Sequence, residues 1–253
     1  TTLRLPTSGA RSATMSFDGA THRFALDAAL TDAVRELARE LNVTPYMLLL
    51  AAFSTVLYRL GGQDDILIGG PMANRDAGGF DDVIGFFANT IVVRVRLAGN
   101  PSFAELLERV RESVLRSYEH QDVPFELVVE ALRPDRDPGI NPLVQVNFRV
   151  RVGGPATLEL TGTQTSPVAV DLGFARFDLA LELHLLEDRV AGELTYNAAL
   201  FTESAIARLA EDFEALVGLA AAHPDTRLLR FPLASAAIAL AAPSGIRGFR
   251  GGG

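Results

Sequence analysis

The chain has 253 residues, with 23 basic against 31 acidic side chains for a formal net charge of −8, and 48% of its residues are apolar, the balance of an ordinary folded domain. All 23 basic residues are arginine, and lysine, cysteine and tryptophan are absent. These zeros exclude Schiff-base and P-loop lysines, thiolate nucleophiles, disulfides, and cysteine-ligated zinc or iron–sulfur centres. The acidic balance argues against a duplex DNA footprint, which needs clustered cationic charge. No apolar stretch reaches the ~20 residues of a membrane span, and the two arginines of residues 1–14 are followed by no apolar block, so no signal peptide is expected.

In chain order, Leu30, Ala33, Val34, Leu37, Ala38 and Leu41 recur at helical spacing opposite Arg35, Glu36, Arg39 and Glu40, which predicts a one-sided helix ended by Asn42. Thr44 caps a second helix with Pro45 in its first turn; it runs Tyr46 to Leu60, is apolar nearly all round, and stops at Gly61-Gly62. Ile66-Leu67-Ile68 reads as a central strand emptying into a loop at Gly69-Gly70-Pro71, and Thr90 to Leu97 as an alternating strand. Ser102 and Glu105 form a capping box for a helix whose apolar face includes Phe103, Leu106, Leu107, Val110, Val114, Leu115 and Tyr118, with Glu105–Arg109 and Glu112–Arg116 as supporting pairs. Pro124 opens a short helix through Leu132. Val144 to Arg151 and Phe177 to Leu185 alternate as strands, and a turn at Glu187-Asp188 leads to a hairpin partner, Val190 to Tyr196. Thr202 caps the last helix, and the chain beyond Pro232 turns small and Ala-rich. This order predicts an α/β fold, a mixed, partly antiparallel sheet covered by helices. Residues 1–20 read as an N-terminal extension or linker, 21–228 as the folded lobe, and 229–253 as a flexible linker or added tail.

A catalytic centre is not announced. G-x-S-x-G, H-E-x-x-H and G-x-G-x-x-G are all missing. Asp64-Asp65 and Asp81-Asp82 are acidic pairs that read as solvated loop charge rather than metal ligands. His120 with Asp122 has the composition of a general base and its orienting acid. Capping accounts for both without a substrate, since one helix ends at His120 and the next begins just after Asp122. His184 reads as exposed on a strand, and His22 and His223 lie in weakly structured segments.

Three segments follow one another with fixed spacing: Ile84-Gly85-Phe86-Phe87-Ala88-Asn89-Thr90, His120-Gln121-Asp122-Val123-Pro124-Phe125-Glu126, and Arg136-Asp137-Pro138-Gly139-Ile140-Asn141-Pro142-Leu143. They resemble the later core motifs I/V-G-x-F-V-N-T, H-Q-D-x-P-F-E and R-D-x-S-R-N-P-L of the condensation domains of nonribosomal peptide synthetases, the third lacking the Ser and second Arg. Gly69 to Arg75 and Phe177-Asp178-Leu179 extend the likeness. The resemblance implies one lobe of a chloramphenicol acetyltransferase-like fold, and here the C-terminal lobe, because the H-H-x-x-x-D-G of the first lobe has no counterpart: no His-His pair occurs. It implies amide formation between carrier-bound thioesters by the complete domain and no catalytic residue on this chain alone, since the expected base is absent. No cofactor is expected to bind directly; phosphopantetheine arms of peptidyl carrier proteins would bring substrate. The implied partners are the N-terminal lobe, carrier proteins and a neighbouring adenylation domain, without nucleic acid or membrane, in the cytoplasm. By resemblance the loop from Pro71 to Asn89 helps close the tunnel between the lobes, and the tunnel or interlobe residues are Gly85, Phe86, Asn89, Thr90, His120, Gln121, Asp122, Arg136 and Asn141. Architectural roles compete: Gly85 a tight turn, Phe86 a core aromatic, Asn89 and Asn141 loop caps. A non-catalytic module that recruits a carrier protein or tailoring enzyme is the alternative function. Arg149 and Arg151 are a weak candidate patch for an acidic carrier.

Overall fold

The computed structural model describes residues 2–75, 79–80, 82–135, 137–153, 161–166, 168, 170 and 172–234. Six strands form one mixed sheet in the order β1-β6-β5-β4-β2-β3. The strands are β1 (Gly19–Leu26), β2 (Asp65–Met72), β3 (Asn89–Arg96), β4 (Val146–Val152), β5 (Leu179–Leu185) and β6 (Val190–Asn197); the helices are α1 (Ala28–Glu40), α2 (Pro45–Gly61), α3 (Phe103–Glu119), α4 (Phe125–Leu132) and α5 (Glu203–Ala222). β4 runs parallel to both β2 and β5, and the remaining pairs are antiparallel. Among the described residues no single helix is long and apolar enough to cross a membrane.

The strand alternation fixes which face is covered. Val146 and Phe148 of β4, Leu179, Leu181 and Leu183 of β5, and Leu194 and Tyr196 of β6 are buried. Between them Arg149, Arg151, Glu182 and Glu193 stay on the open face, as a period of two requires. α2 is the central helix: every residue from Met47 to Leu57 is buried, and its two polar members, Ser54 and Thr55, donate their hydroxyls to Leu50 O (2.7 Å) and Ala51 O (2.8 Å), so no polar group is left unpaired there. Phe53 of α2 stacks on Phe148 of β4 (5.8 Å between ring centroids) and meets Phe213 of α5 edge-on (6.3 Å), which in turn meets Phe24 of β1 (6.0 Å). One aromatic chain therefore joins sheet, central helix and last helix. Burial pushes the phenol of Tyr46, packed on Phe148, well above its ordinary range.

The caps follow the sequence. Asp27, Thr44 and Thr202 each accept a hydrogen bond from the first turn of α1, α2 and α5, and Ser102 and Glu105 make the reciprocal box at α3. Ser102→Ala is expected to lower the unfolding free energy by about 1 kcal/mol in a denaturant titration. Of the two α3 pairs, Glu112–Arg116 forms; Glu105–Arg109 does not, because Glu105 is spent on the Ser102 amide (2.8 Å) and Arg109 donates to the carbonyls of Arg96 (3.2 Å) and Ala98 (2.9 Å). Leu115, expected on the apolar face of α3, is exposed.

Four further differences have physical causes. β1 was hidden because its inward row opens with Ala20 and His22 before Phe24 and Leu26 supply apolar weight; His22 is thus half-buried in a strand. β2 does not end at the glycines but runs to Met72: β4 pairs only with Ile68 and Gly69, so Pro71, which has no N–H, faces no ladder on that side. Asp65 is not loop charge but the first residue of β2, gripped by Arg94 Nε (2.8 Å) and Nη2 (2.5 Å). That guanidinium holds the Asp65 carboxyl below its usual range, so the stability it contributes is present above the ordinary carboxylate pKa and is lost as pH falls through the lowered one; Asp65→Asn should flatten the acid limb of a stability–pH curve. Asp81 lies outside the described residues. The fourth is Asp178, expected on the outer face of a strand: β5 starts one residue later and Asp178 is buried against Arg11.

Residues 2–18 run as a strap along the fold. Leu3 is buried and its amide donates to Gln145 Oε1 (2.8 Å); Ser8 N reaches Leu200 O (2.8 Å) and Met15 N reaches Pro138 O (3.1 Å). At the other end packing continues to Ala234: Phe231 and Leu233 are buried, Arg59 donates to the carbonyls of Leu228 (3.0 Å) and Phe231 (2.7 Å), and Asp212 accepts from Ala234 N (2.8 Å). The Ala-rich end, 235–253, lies outside the described residues.

Candidate functional site

The loop after β2 and the helix α4 come together through one side chain. Asn89, the first residue of β3, makes four hydrogen bonds: Nδ2 donates to Gln121 O (2.7 Å) and Val123 O (2.8 Å), and Oδ1 accepts from Thr90 N (2.8 Å) and Phe125 N (3.1 Å). Both faces of its amide are therefore used, and the bond to Phe125 N is the N-terminal cap of α4, whose own N-cap position holds Pro124 and gives no side-chain bond. The sequence assigned that job to Asp122. Asp122 instead is exposed, and Asn89 of β3 takes the Phe125 amide.

His120 is the C-cap of α3, as the capping reading expects, and it is exposed. No hydrogen bond joins it to Asp122 among the described residues, so the pair forms no base with an orienting acid. Gln121 is held by its backbone, its N bonding Tyr118 O (3.2 Å) and its O accepting from Asn89, while its side-chain Oε1 is buried without a donor. Thr90, His120 and Val123 border a groove of about 680 Å³ between β3 and α3, whose lining also includes Arg94, Arg96 and Arg109.

Ahead of Asn89 the loop is organised by an arginine that sequence reasoning passed over. Arg75 donates to the carbonyls of Phe80, Val83 (2.9 Å) and Gly85 (3.4 Å), and its guanidinium lies 4.4 Å from the centroid of the Phe87 ring, which also packs on Phe80 (5.4 Å). Its position at the end of the Gly69–Arg75 likeness was the available signal. With Arg75 and Phe87 turned inward on the loop, Ile84 (102% exposed) and Phe86 (91%) are presented outward. Phe86 is thus not a core aromatic. Arg75→Ala should leave the sheet intact and make residues 79–87 the first site of limited proteolysis, read by mass spectrometry. α4 adds to the same character: none of its residues is buried, and its Leu127 and Leu132, with Val123 just before it, are exposed.

Asn141 belongs to a different cluster. Its Nδ2 donates to Arg176 O (2.8 Å) and its carbonyl accepts from Gln145 Nε2 (2.8 Å), beside the strap. Arg136 lies outside the described residues. The structure thus unites Asn89, Thr90, Gln121 and Phe125 of the first two motifs and sets Asn141 of the third apart. Arg149 and Arg151 are no free basic patch, since both bridge to Glu182 (3.5 and 2.8 Å), which His184 also approaches (3.3 Å). Chemically the first cluster ties segments together. It contains no nucleophile paired with a base.

The profile of the Condensation domain family matches residues 1–238. The chain is 45% identical over 206 residues to malpinin synthetase of Mortierella alpina, covering 81% of this chain and 3% of that protein. It is 40% identical over 230 residues to phosphinothricin tripeptide synthetase PhsC of Streptomyces viridochromogenes, covering 90% of this chain and 21% of that one. The chain therefore spans a small part of these relatives. Among solved structures, the X-domain in complex with OxyB from teicoplanin biosynthesis superposes with a TM-score of 0.82 at 30% identity, over 91% of this chain and 51% of that chain. The four-domain nonribosomal peptide synthetase holo-AB3403, at 23% identity, shares the fold with a TM-score of 0.82 over 90% of this chain. The mixed sheet, the Asn89-linked motifs and a family match across nearly the whole described chain lead to one assignment: this chain belongs to the condensation domain family.

Proposed function

We propose that this chain is the C-terminal lobe of a nonribosomal peptide synthetase condensation domain, and that it takes part in amide formation only together with an upstream lobe carrying H-H-x-x-x-D-G. Donor and acceptor would arrive as thioesters on the phosphopantetheine arms of carrier proteins, with an adenylation domain as neighbour. The observation that carries this reading is the unpartnered apolar surface. Besides Ile84 and Phe86, Val168 (81% exposed), Val170 (72%), Leu172 (82%) and Phe174 (53%) are apolar and exposed. Single exposed apolar residues need no explanation, but a group of large apolar side chains left open together is normally covered. The half-length match to the teicoplanin X-domain supports the same division.

On this reading the lobe supplies walls and positioning, Asn89 holding the loop that bears Phe86 against α4, and the proton of the attacking amine is handled by the other lobe. The test mixes this chain with a donor thioester on one carrier and an aminoacyl acceptor on another, with and without the complementary lobe, and follows amide product by mass spectrometry. Product is expected only when both lobes are present. Product from this chain alone would overturn the assignment of the base to the missing half.

A second reading, a docking module without catalysis, is favoured by the complex of the teicoplanin X-domain with OxyB. The coding sequence upstream distinguishes the two: H-H-x-x-x-D-G there excludes the docking module, and its replacement excludes the first reading.

A further inference from the structure

The groove between β3 and α3 is lined by two rows of different periodicity. On β3, Thr90, Val92, Arg94 and Arg96 alternate out of the strand. On α3, Arg109, Glu112, Ser113, Arg116, Ser117 and His120 recur at three- and four-residue spacing along the flank of its apolar face. The polar groups between strand and helix are spent on each other: Ser117 and Ser113 donate to Val92 O (3.1 Å) and Arg94 O (2.7 Å), and Arg109 Nη1 to the carbonyls of Arg96 (3.2 Å) and Ala98 (2.9 Å). What is left over is cationic. Four arginines and one glutamate line the groove, an excess of three positive charges, or of two once Asp65 beside Arg94 is counted, on a chain of net charge −8. Two of the guanidiniums are held in place with donors to spare, Arg94 through its Nε and Nη2 bonds to Asp65 and Arg109 through Nη1. The Arg96 guanidinium donates to nothing among the described residues, and Arg116, beside Glu112, is 71% exposed. Val92, Val123 and Val128 are apolar members of the lining, and none of them is buried.

We propose that this groove docks an acidic amphipathic helix of a partner protein, its carboxylates on the arginines and its apolar residues on the three valines. A compact anion would engage one or two arginines and leave the valines bare, whereas such a helix uses both. The spacings suit it: Arg94 and Arg96 stand about 7 Å apart along β3, and Arg109 and Arg116 about 10.5 Å apart along α3. Carboxylates at positions i, i+4 and i+7 of a helix fall about 6 and 10.5 Å apart along its axis and meet both. Guanidiniums already held in position lose little freedom on binding. Val123 precedes α4 and Val128 belongs to it, so an occupant also reaches the helix whose first amide Asn89 caps. This inference goes beyond the functional reading above and does not depend on it.

The probe is a fluorescein-labelled peptide about as long as α3, with leucine along one helical face and glutamate on both flanks, titrated with this chain and read by anisotropy. Binding is expected, and it should weaken as salt is raised. Arg96→Glu with Arg116→Glu should weaken it about 10-fold or more while the urea midpoint of the chain stays in place. A peptide with lysine in place of glutamate, rejected by the wild-type chain, should bind that reversed variant. Hydrogen exchange in the wild-type complex should slow along α4, as contact with Val123 and Val128 requires. Equal binding of a scrambled peptide of the same composition overturns the helix, and undiminished binding by the reversed variant overturns the site. A chain that dimerises in sedimentation, with the dimer lost in the reversed variant, gives the groove to a second copy and overturns the proposal as well. Where the reversed variant does not fold, Arg96→Gln with Arg116→Gln is read in the same way.

Discussion

Phe53→Ala is expected to cost about 3–5 kcal/mol of unfolding free energy. Phe53 is fully buried and is the ring through which β4 and α5 meet, so its removal leaves a cavity bordered by Phe148 and Phe213 and deletes two aromatic contacts at once. Urea denaturation should show the midpoint falling with little change in slope, since the surface exposed on unfolding is nearly the same. Phe86→Ala provides the control: the same chemical change at a residue 91% exposed should alter stability by less than about 0.5 kcal/mol. If Phe86 meets the other lobe, its truncation should instead weaken association of the two lobes, read by titration calorimetry. An effect of Phe86→Ala on the isolated chain as large as that of Phe53→Ala would mean that the loop packs inward.

The second large effect belongs to Asn89. Asn89→Ala leaves two carbonyls and two amides without their partner, and with the site half-buried the cost is about 2–3 kcal/mol. Asn89→Asp changes one atom and should be worse at neutral pH. The oxygen that replaces Nδ2 would face Gln121 O and Val123 O, acceptors that now lie 2.7 and 2.8 Å from a donor. Protonating the aspartate returns one donor, so the deficit should shrink as pH falls through the carboxylate range, near 4 or above. Hydrogen exchange localises the damage: protection should be lost at Phe125 N and along α4 while α2 and β4 remain protected. An Asn89→Asp protein as stable as wild type at neutral pH would show that the amide is not oriented as described.

What the sequence could reveal depended on how far apart the interacting residues are. The helix caps at Thr44, Ser102 and Thr202, the stop at Gly62 and the β5–β6 hairpin involve neighbours along the chain, and all are present. The features that depart from expectation involve distant partners. Asp122 lost its capping role to Asn89, 36 residues from the amide it caps; Asp178 turned inward because Arg11, 167 residues away, neutralises it; Glu105–Arg109 gave way to the β3 carbonyls. The candidate site was legible in the same measure. The family resemblance put Asn89 and Gln121 among the tunnel or interlobe residues without pairing them, and nothing local to Phe86 distinguishes a core ring from a displayed one; Arg75 and Phe87 folding over the loop's inner side decide it.

The contacts between α3 and the edge of the sheet carry one more consequence. Ser117, Ser113 and Arg109 donate to the carbonyls of Val92, Arg94 and Arg96, the alternate groups along the side of β3 that faces away from β2. Those acceptors are what an incoming strand from another molecule would need, so β3 cannot template the addition of a seventh strand. Among the described residues the margin of the sheet left for strand addition is therefore the opposite one, at β1.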